Sequence, residues 1–145
     1  MQTESNSRPK QTSAKPRAVK IRPEITRLPD ITPGRRRARK FVRMIARLLV
    51  FLFLRVSIFG KENYPRQGAA LMVSNHLGDF DGVISIAFSP RPVEYLAKSE
   101  LYDLPVLGWL MRLYGMIWIH RGQPDRRALR AASQGLQEGR LVGIA

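Results

Sequence analysis

The stretch SNHLGDFD, residues 74–81, places one histidine and two aspartates within six positions: His76, Asp79 and Asp81. In a continuous helix, His76 and Asp81 would be turned about 140° apart, so they can meet only across a loop. Gly78 makes such a loop easy, and Asp79 stands where it can cap a helix beginning near Phe80. The Asp81 carboxylate would then bind one imidazole nitrogen, fix the tautomer, and leave the other nitrogen to take a proton from a substrate hydroxyl. A base with an orienting carboxylate and no protein nucleophile suits transfer of an activated acyl group to an alcohol whose own oxygen attacks. Two other readings stay open: a capped turn carrying a solvated histidine, and a metal site on His76, Asp79 and Asp81. The metal reading has a thin ligand set, with one histidine nearby and no thiolate. The chain contains no cysteine, which excludes disulfides and thiol nucleophiles.

The flanking pattern supplies the elements that would position these groups. AALMVS (69–74), VEYLAK (93–98), MIWIH (116–120) and the start of RLVGIA (140–145) read as strands. Between them, 81–89, 106–115 and 124–139 read as helices, the last with Pro124 at its start and Gly139 at its end. Strands separated by helices predict an α/β fold with a largely parallel sheet and flanking helices. His76 then follows the carboxyl end of a strand, where open α/β sheets place their chemistry. Lys98, at the end of the next strand, is placed to add positive potential to the same cleft. Trp109, Met111, Met116 and Trp118 follow the spacing of their own elements and are expected in the core.

Charge is unevenly spread: residues 1–40 hold 12 of the 25 Lys/Arg and three of the 11 Asp/Glu. The spaced prolines and absence of hydrophobic period predict a disordered basic tail over 1–34. Residues 35–59 contain neither proline nor glycine and predict a helix, with Arg36, Lys40, Arg43 and Arg47 on one stripe and Phe41, Ile45, Leu48, Leu49 and Leu52 largely opposite. Arg47 and Arg55 bracket seven uncharged residues, against the ~20 needed to span a bilayer. Such a helix can lie in an anionic membrane interface with headgroups around its arginines, or pack on the domain with its basic face in water. A basic module for nucleic acid explains the charge too, but leaves the histidine motif unused.

SNHLGDFD resembles the first motif, NHxxxxD, of the 1-acylglycerol-3-phosphate acyltransferase family. YLAKSELYDLPVLGWLMRLYGMIWIHRG, residues 95–122, resembles that family's Lys-x-Glu-Leu segment through its second motif, with His120 where the family often has Asp. The resemblance covers roughly residues 60–145 and implies a glycerol-3-phosphate acyltransferase-like domain. It implies His76 as general base, Asp81 as its partner, and Arg121 as a ligand for the acceptor phosphate. It further implies acyl-CoA or acyl carrier protein as donor and a lysophospholipid as acceptor, at the cytoplasmic face of a membrane. Neither cofactor nor metal is called for, and no nucleic acid. GRLVGI (139–144) resembles the strand leading into the family's third motif, a Phe-Pro-Glu-Gly-Thr-Arg-like loop, which is expected beyond Ala145 in a longer chain.

Overall fold

The computed structural model describes residues 22–78, 80–122 and 124–145. Its elements, in order, are helix α1 (Pro33–Phe53), strand β1 (Ala70–Val73), helix α2 (Asp81–Phe88), strand β2 (Val93–Lys98), helix α3 (Leu107–Tyr114), strand β3 (Ile117–Ile119), helix α4 (Arg126–Gln137) and strand β4 (Leu141–Ile144). Short 3₁₀ turns occupy Lys61–Asn63 and Ser99–Asp103. All strand pairs are parallel, in the order β1-β4-β2-β3. The predicted α/β architecture is therefore observed, with its strands and helices close to their expected bounds.

Alternation along β3 shows how the strands divide the core. Met116 and Trp118 join a cluster with Val42, Ala46 and Val50 of α1 and Ala87 of α2, while Ile117 faces Ala128 and Ala131 of α4. Helices α1, α2 and α3 thus cover one face of the sheet and α4 the other. Met116 and Trp118 are buried as expected, but Trp109 on α3 is 46% exposed and is not a core residue.

Residues 22–32 depart from the disordered tail that composition predicts. Thr26, Leu28 and Pro29 are buried, and Leu28 packs against Ile117, Ala128 and Ala131. Small residues on one face of α4 make room for it: a Cβ at Gly135 would come within 3.2 Å of Leu28 Cδ1. Pro23, Pro29 and Pro33 favour an extended path, so an aperiodic sequence can still lie down as an ordered strap. The remainder of the expected tail, residues 1–21, lies outside the described residues.

Helix α1 begins where Thr32 Oγ1 accepts the Arg35 amide at 3.1 Å, with Pro33 in the first turn. It ends at Phe53, six residues before the predicted boundary. Leu54 turns extended and packs on the core, and β-branched Val56 and Ile58 follow on the way to Gly60, which takes φ 72°.

A row of arginines four residues apart on α1 reaches the domain, sharing only Arg43 and Arg47 with the predicted stripe, whose Arg36 and Lys40 are exposed. Arg35 donates to the carbonyls of Arg112 and Leu113, and Arg39 Nε to that of Tyr114 at 2.8 Å, all at the carboxyl end of α3. Arg43 donates to the carbonyl of Ser89 and Arg47 Nε to that of Ala87 at 2.8 Å, at the carboxyl end of α2. Every fourth residue thus meets carbonyls that their own helices leave unpaired, at the negative pole of each helix dipole. Arg39 also forms a bidentate pair with Glu94 of β2, at 2.9 and 2.6 Å. Both side chains are at least 95% buried.

The helix packs on the domain, as one of the two sequence readings expects, and part of its basic stripe stays exposed. Of that stripe, half-buried Arg43 and still-exposed Arg47 each donate to a carbonyl at the end of α2. Arg36, Arg37 and Lys40 remain exposed, beside an outward apolar face that includes Phe41, Met44, Leu48, Phe51 and Leu52.

Candidate functional site

Parallel strands bring every sequence-predicted site residue to one rim. Leu71 and Glu94 both pair with Val142, and Leu96 pairs with Ile117. Carrying that register upward sets Asn75, Lys98 and Ile119 at one height, and His76, Ser99 and His120 at the next. The first and last of these are at opposite edges of the four-stranded sheet. Three strand spacings separate the His76 and Arg121 loops by roughly 14 Å, with Lys98 between them.

His76 and Asp81 are brought together across the loop. His76 Nδ1 is 3.2 Å from Asp81 Oδ2, and the same oxygen accepts the amides of Leu77 at 2.6 Å and Gly78 at 2.9 Å. Asp81 lies in the first turn of α2, so its carboxylate also stands at the positive end of that helix. The position before α2 is Phe80, with no side-chain cap; Asp79, expected there as a cap, lies outside the described residues. The amides of Gly78 and Leu77, then the His76 ring, outweigh desolvation and hold Asp81 below the usual carboxylate range. An ionised acceptor at Nδ1 puts the imidazole proton on that nitrogen and the lone pair on Nε2. The histidine side chain is 40% exposed.

Beside the dyad is an open cleft of about 340 Å³. Ile58, Phe59, Ile84 and Phe88 give it apolar walls, and Asn75 and Asp81 lie at its polar side. Sequence reasoning missed Ile58 and Phe59 because it continued α1 through them. The signal available was the pair of β-branched residues and the glycine that follow Leu54.

At the opposite edge the same spacing recurs. His120 and Asp125 are five residues apart, follow β3 and precede α4, with Gly122 at the place of Gly78. His120 Nδ1 is 3.1 Å from Asp125 Oδ2, which also accepts the His120 amide at 3.0 Å. Asp125 Oδ1 caps α4 through the amides of Arg127 and Ala128, both at 3.1 Å. Burial pushes the Asp125 carboxyl up, but the amides of His120 and Ala128, the His120 ring and the Arg127 amide together hold it below the usual range. His120 Nε2 accepts the Arg22 amide at 2.9 Å, and the side chain is 4% exposed. Both ring nitrogens are occupied, so His120 anchors the strap and has no nitrogen free for a substrate.

Arg121 is exposed in the turn after β3, and Lys98 is half-buried at the end of β2. Neither touches His76 or Asp81 in the hydrogen bonds described; what unites the four residues is the rim. Among the described residues no group of three His, Cys, Asp or Glu is placed to hold a metal ion. No described helix is long and apolar enough to cross a membrane.

The chain is similar in sequence to several known proteins. The chain is 36% identical over 122 residues to a lyso-ornithine lipid O-acyltransferase of Pseudomonas aeruginosa, covering 81% of this chain and 44% of that protein. It is 28% identical over 100 residues to a 1-acyl-sn-glycerol-3-phosphate acyltransferase of Bacillus subtilis, covering 67% of this chain and 50% of that protein. An uncharacterised protein of Mycobacterium tuberculosis is 40% identical over 82 residues, covering 51% of this chain and 23% of its own length. The chain thus spans half or less of the length of these relatives. No solved structure matches it. The family profile described as Acyltransferase matches residues 55–145, from the end of the α1 segment through β4. The chain belongs to the acyltransferase family.

Proposed function

We propose that this domain transfers a fatty acyl group from a thioester, acyl-CoA or acyl carrier protein, to the free hydroxyl of lysophosphatidic acid, giving phosphatidic acid. The observation that carries the reading is the exposed His76 paired through Nδ1 with an ionised Asp81. His76 Nε2 takes the hydroxyl proton as the acceptor oxygen attacks the thioester carbonyl. Asp81 stabilises the imidazolium formed at that moment. The C–O ester bond forms, the C–S bond breaks, and the imidazolium returns its proton to the departing thiolate. No protein nucleophile or cofactor enters the step.

Arg121 and Lys98 share the rim with the dyad and supply positive charge for the acceptor phosphate, Arg121 with bidentate geometry. The apolar walls of the cleft beside Asp81 fit the hydrocarbon portion of a substrate. The domain rests on a membrane surface through the outward face of α1: Phe51 and Phe53 are 84% and 71% exposed, and Arg36, Arg37 and Lys40 lie at the basic end.

A second acceptor is favoured by the P. aeruginosa relative, whose name is lyso-ornithine lipid O-acyltransferase. The attacking group would again be a lipid hydroxyl, with an ornithine headgroup in place of a phosphate. The full-length protein is to be incubated with acyl-CoA or acyl carrier protein and each acceptor, and products read by mass spectrometry. Phosphatidic acid is the expected product, acylated ornithine lipid moves the assignment to the second acceptor, and transfer to neither contradicts both.

A further inference from the structure

We infer that Arg43 and Arg47 of α1 are positioning residues for the His76–Asp81 pair, acting through α2 as a rigid rod. The inference rests on the dyad reading above and assigns it two residues that lie at the far end of the helix carrying Asp81.

Helix α2 has eight residues and no side-chain cap at Phe80. Two turns do not make a helix that holds its own direction, because nucleation is costly and few bonds repay it. Its orientation must come from what it docks on. Ile86 and Ala87 are buried against the core, and the carboxyl-terminal carbonyls are gripped by α1: Arg47 Nε holds Ala87 and Arg43 holds Ser89. The Ser89 hydroxyl is fixed as well, 2.6 Å from the Tyr64 hydroxyl and donating to the Arg91 carbonyl at 2.6 Å. Roughly 12 Å away along the rod, Asp81 organises the loop by accepting the Leu77 and Gly78 amides and holding His76. A tilt allowed at one end is delivered to the carboxylate at the other. Proton transfer to an acceptor hydroxyl depends steeply on such placement.

The ladder contains its own control. Arg35 makes the same kind of contact as Arg47, from the same row of every fourth residue on α1, to the carbonyls of Arg112 and Leu113 on α3. Helix α3 carries no member of the dyad. A general stabilising role would make Arg35 and Arg47 equivalent, whereas a positioning role separates them.

The test compares Arg47→Met, Arg47→Lys, Arg35→Met and Arg35→Lys in the full-length protein, with His76→Ala alongside. Measurements are kcat, KM, the unfolding midpoint, and hydrogen exchange of the Leu77 and Gly78 amides. Arg47→Met is expected to lower kcat about tenfold with KM nearly unchanged, and Arg35→Met to leave kcat within about twofold at a similar loss of thermal midpoint. Arg47→Lys, which keeps a donor and a charge, is expected to recover most of the rate. The two loop amides exchange faster in Arg47→Met and at the wild-type rate in Arg35→Met. Where either methionine variant does not fold, the lysine pair is compared on the same scale. Equal effects on kcat, or unaltered amide exchange in Arg47→Met, overturn the inference while leaving the dyad standing. Turnover that survives His76→Ala overturns both.

Discussion

His120 Nδ1 lies 3.1 Å from Asp125 Oδ2, the same atoms at the same five-residue spacing as His76 and Asp81. Two turns of one design stand at opposite edges of the sheet, and access separates their roles. Replacing His120 by Ala leaves the Arg22 amide without its acceptor and Asp125 without the ring. We expect a loss of about 2–4 kcal/mol in urea unfolding, with the activity of the folded fraction retained. His76→Ala, at an exposed position, should shift stability by no more than about 0.5 kcal/mol. Comparable destabilisation by the two substitutions would contradict this division of labour.

Arg39 and Glu94 give a second test, because a buried charge is costly only when its partner is removed. Arg39→Met leaves Glu94 with Arg140 Nη1 at 3.4 Å and removes the bidentate contact. A loss of about 3–5 kcal/mol is expected. Arg39→Met combined with Glu94→Leu should cost less than Arg39→Met alone, a non-additivity that a double-mutant cycle reads directly.

Asp81 sets a pH dependence whose direction is fixed by its lowered pKa. Its contribution to loop order is fully present above the unfolded-state carboxyl value of about 3.9 and is lost as pH falls through the lower folded value. The Gly78 amide, followed by NMR, should keep its bonded shift down through pH 4 and lose it only in stronger acid. A Gly78 shift that changes well above pH 4 would contradict the assignment.

Orientation on a membrane is tested by contrasting the two faces of α1. Replacing exposed Arg36, Arg37 and Lys40 together by Ala should weaken sedimentation with anionic liposomes by about 1 kcal/mol per charge. Phe51→Asp should weaken it at every salt concentration, whereas Arg43→Met, at a half-buried arginine held by the Ser89 carbonyl, should leave it unchanged. Duplex DNA at matched salt serves as the competing anion; binding to it in preference to liposomes would favour a nucleic-acid role.

Period and punctuation carried most of the fold. Alternation in IWI divides two cores, and Pro124 with Gly139 brackets α4. The His76–Asp81 contact was legible because one glycine-containing loop joins both residues. Less visible was which way α1 would face. Arg36 and Lys40 of the predicted stripe are exposed, whereas Arg35 and Arg39, outside it, are held by carbonyls of α3 that only the tertiary packing supplies. Similarly, the strap at residues 22–32 has no periodicity of its own, since it binds through Leu28, a backbone amide and a carbonyl that accepts from Arg140. His120 was read as the last residue of its strand and lies just past it, and its burial depended on that distant strap.

In the proposed reaction His76, held by Asp81, moves the proton in acyl transfer. The most direct measurement is the turnover of full-length His76→Ala with acyl-CoA and lysophosphatidic acid, alongside wild type. A loss of at least about a hundredfold in kcat is expected, with liposome sedimentation and the unfolding midpoint unchanged. Turnover near that of wild type in a folded, membrane-bound His76→Ala protein would contradict it.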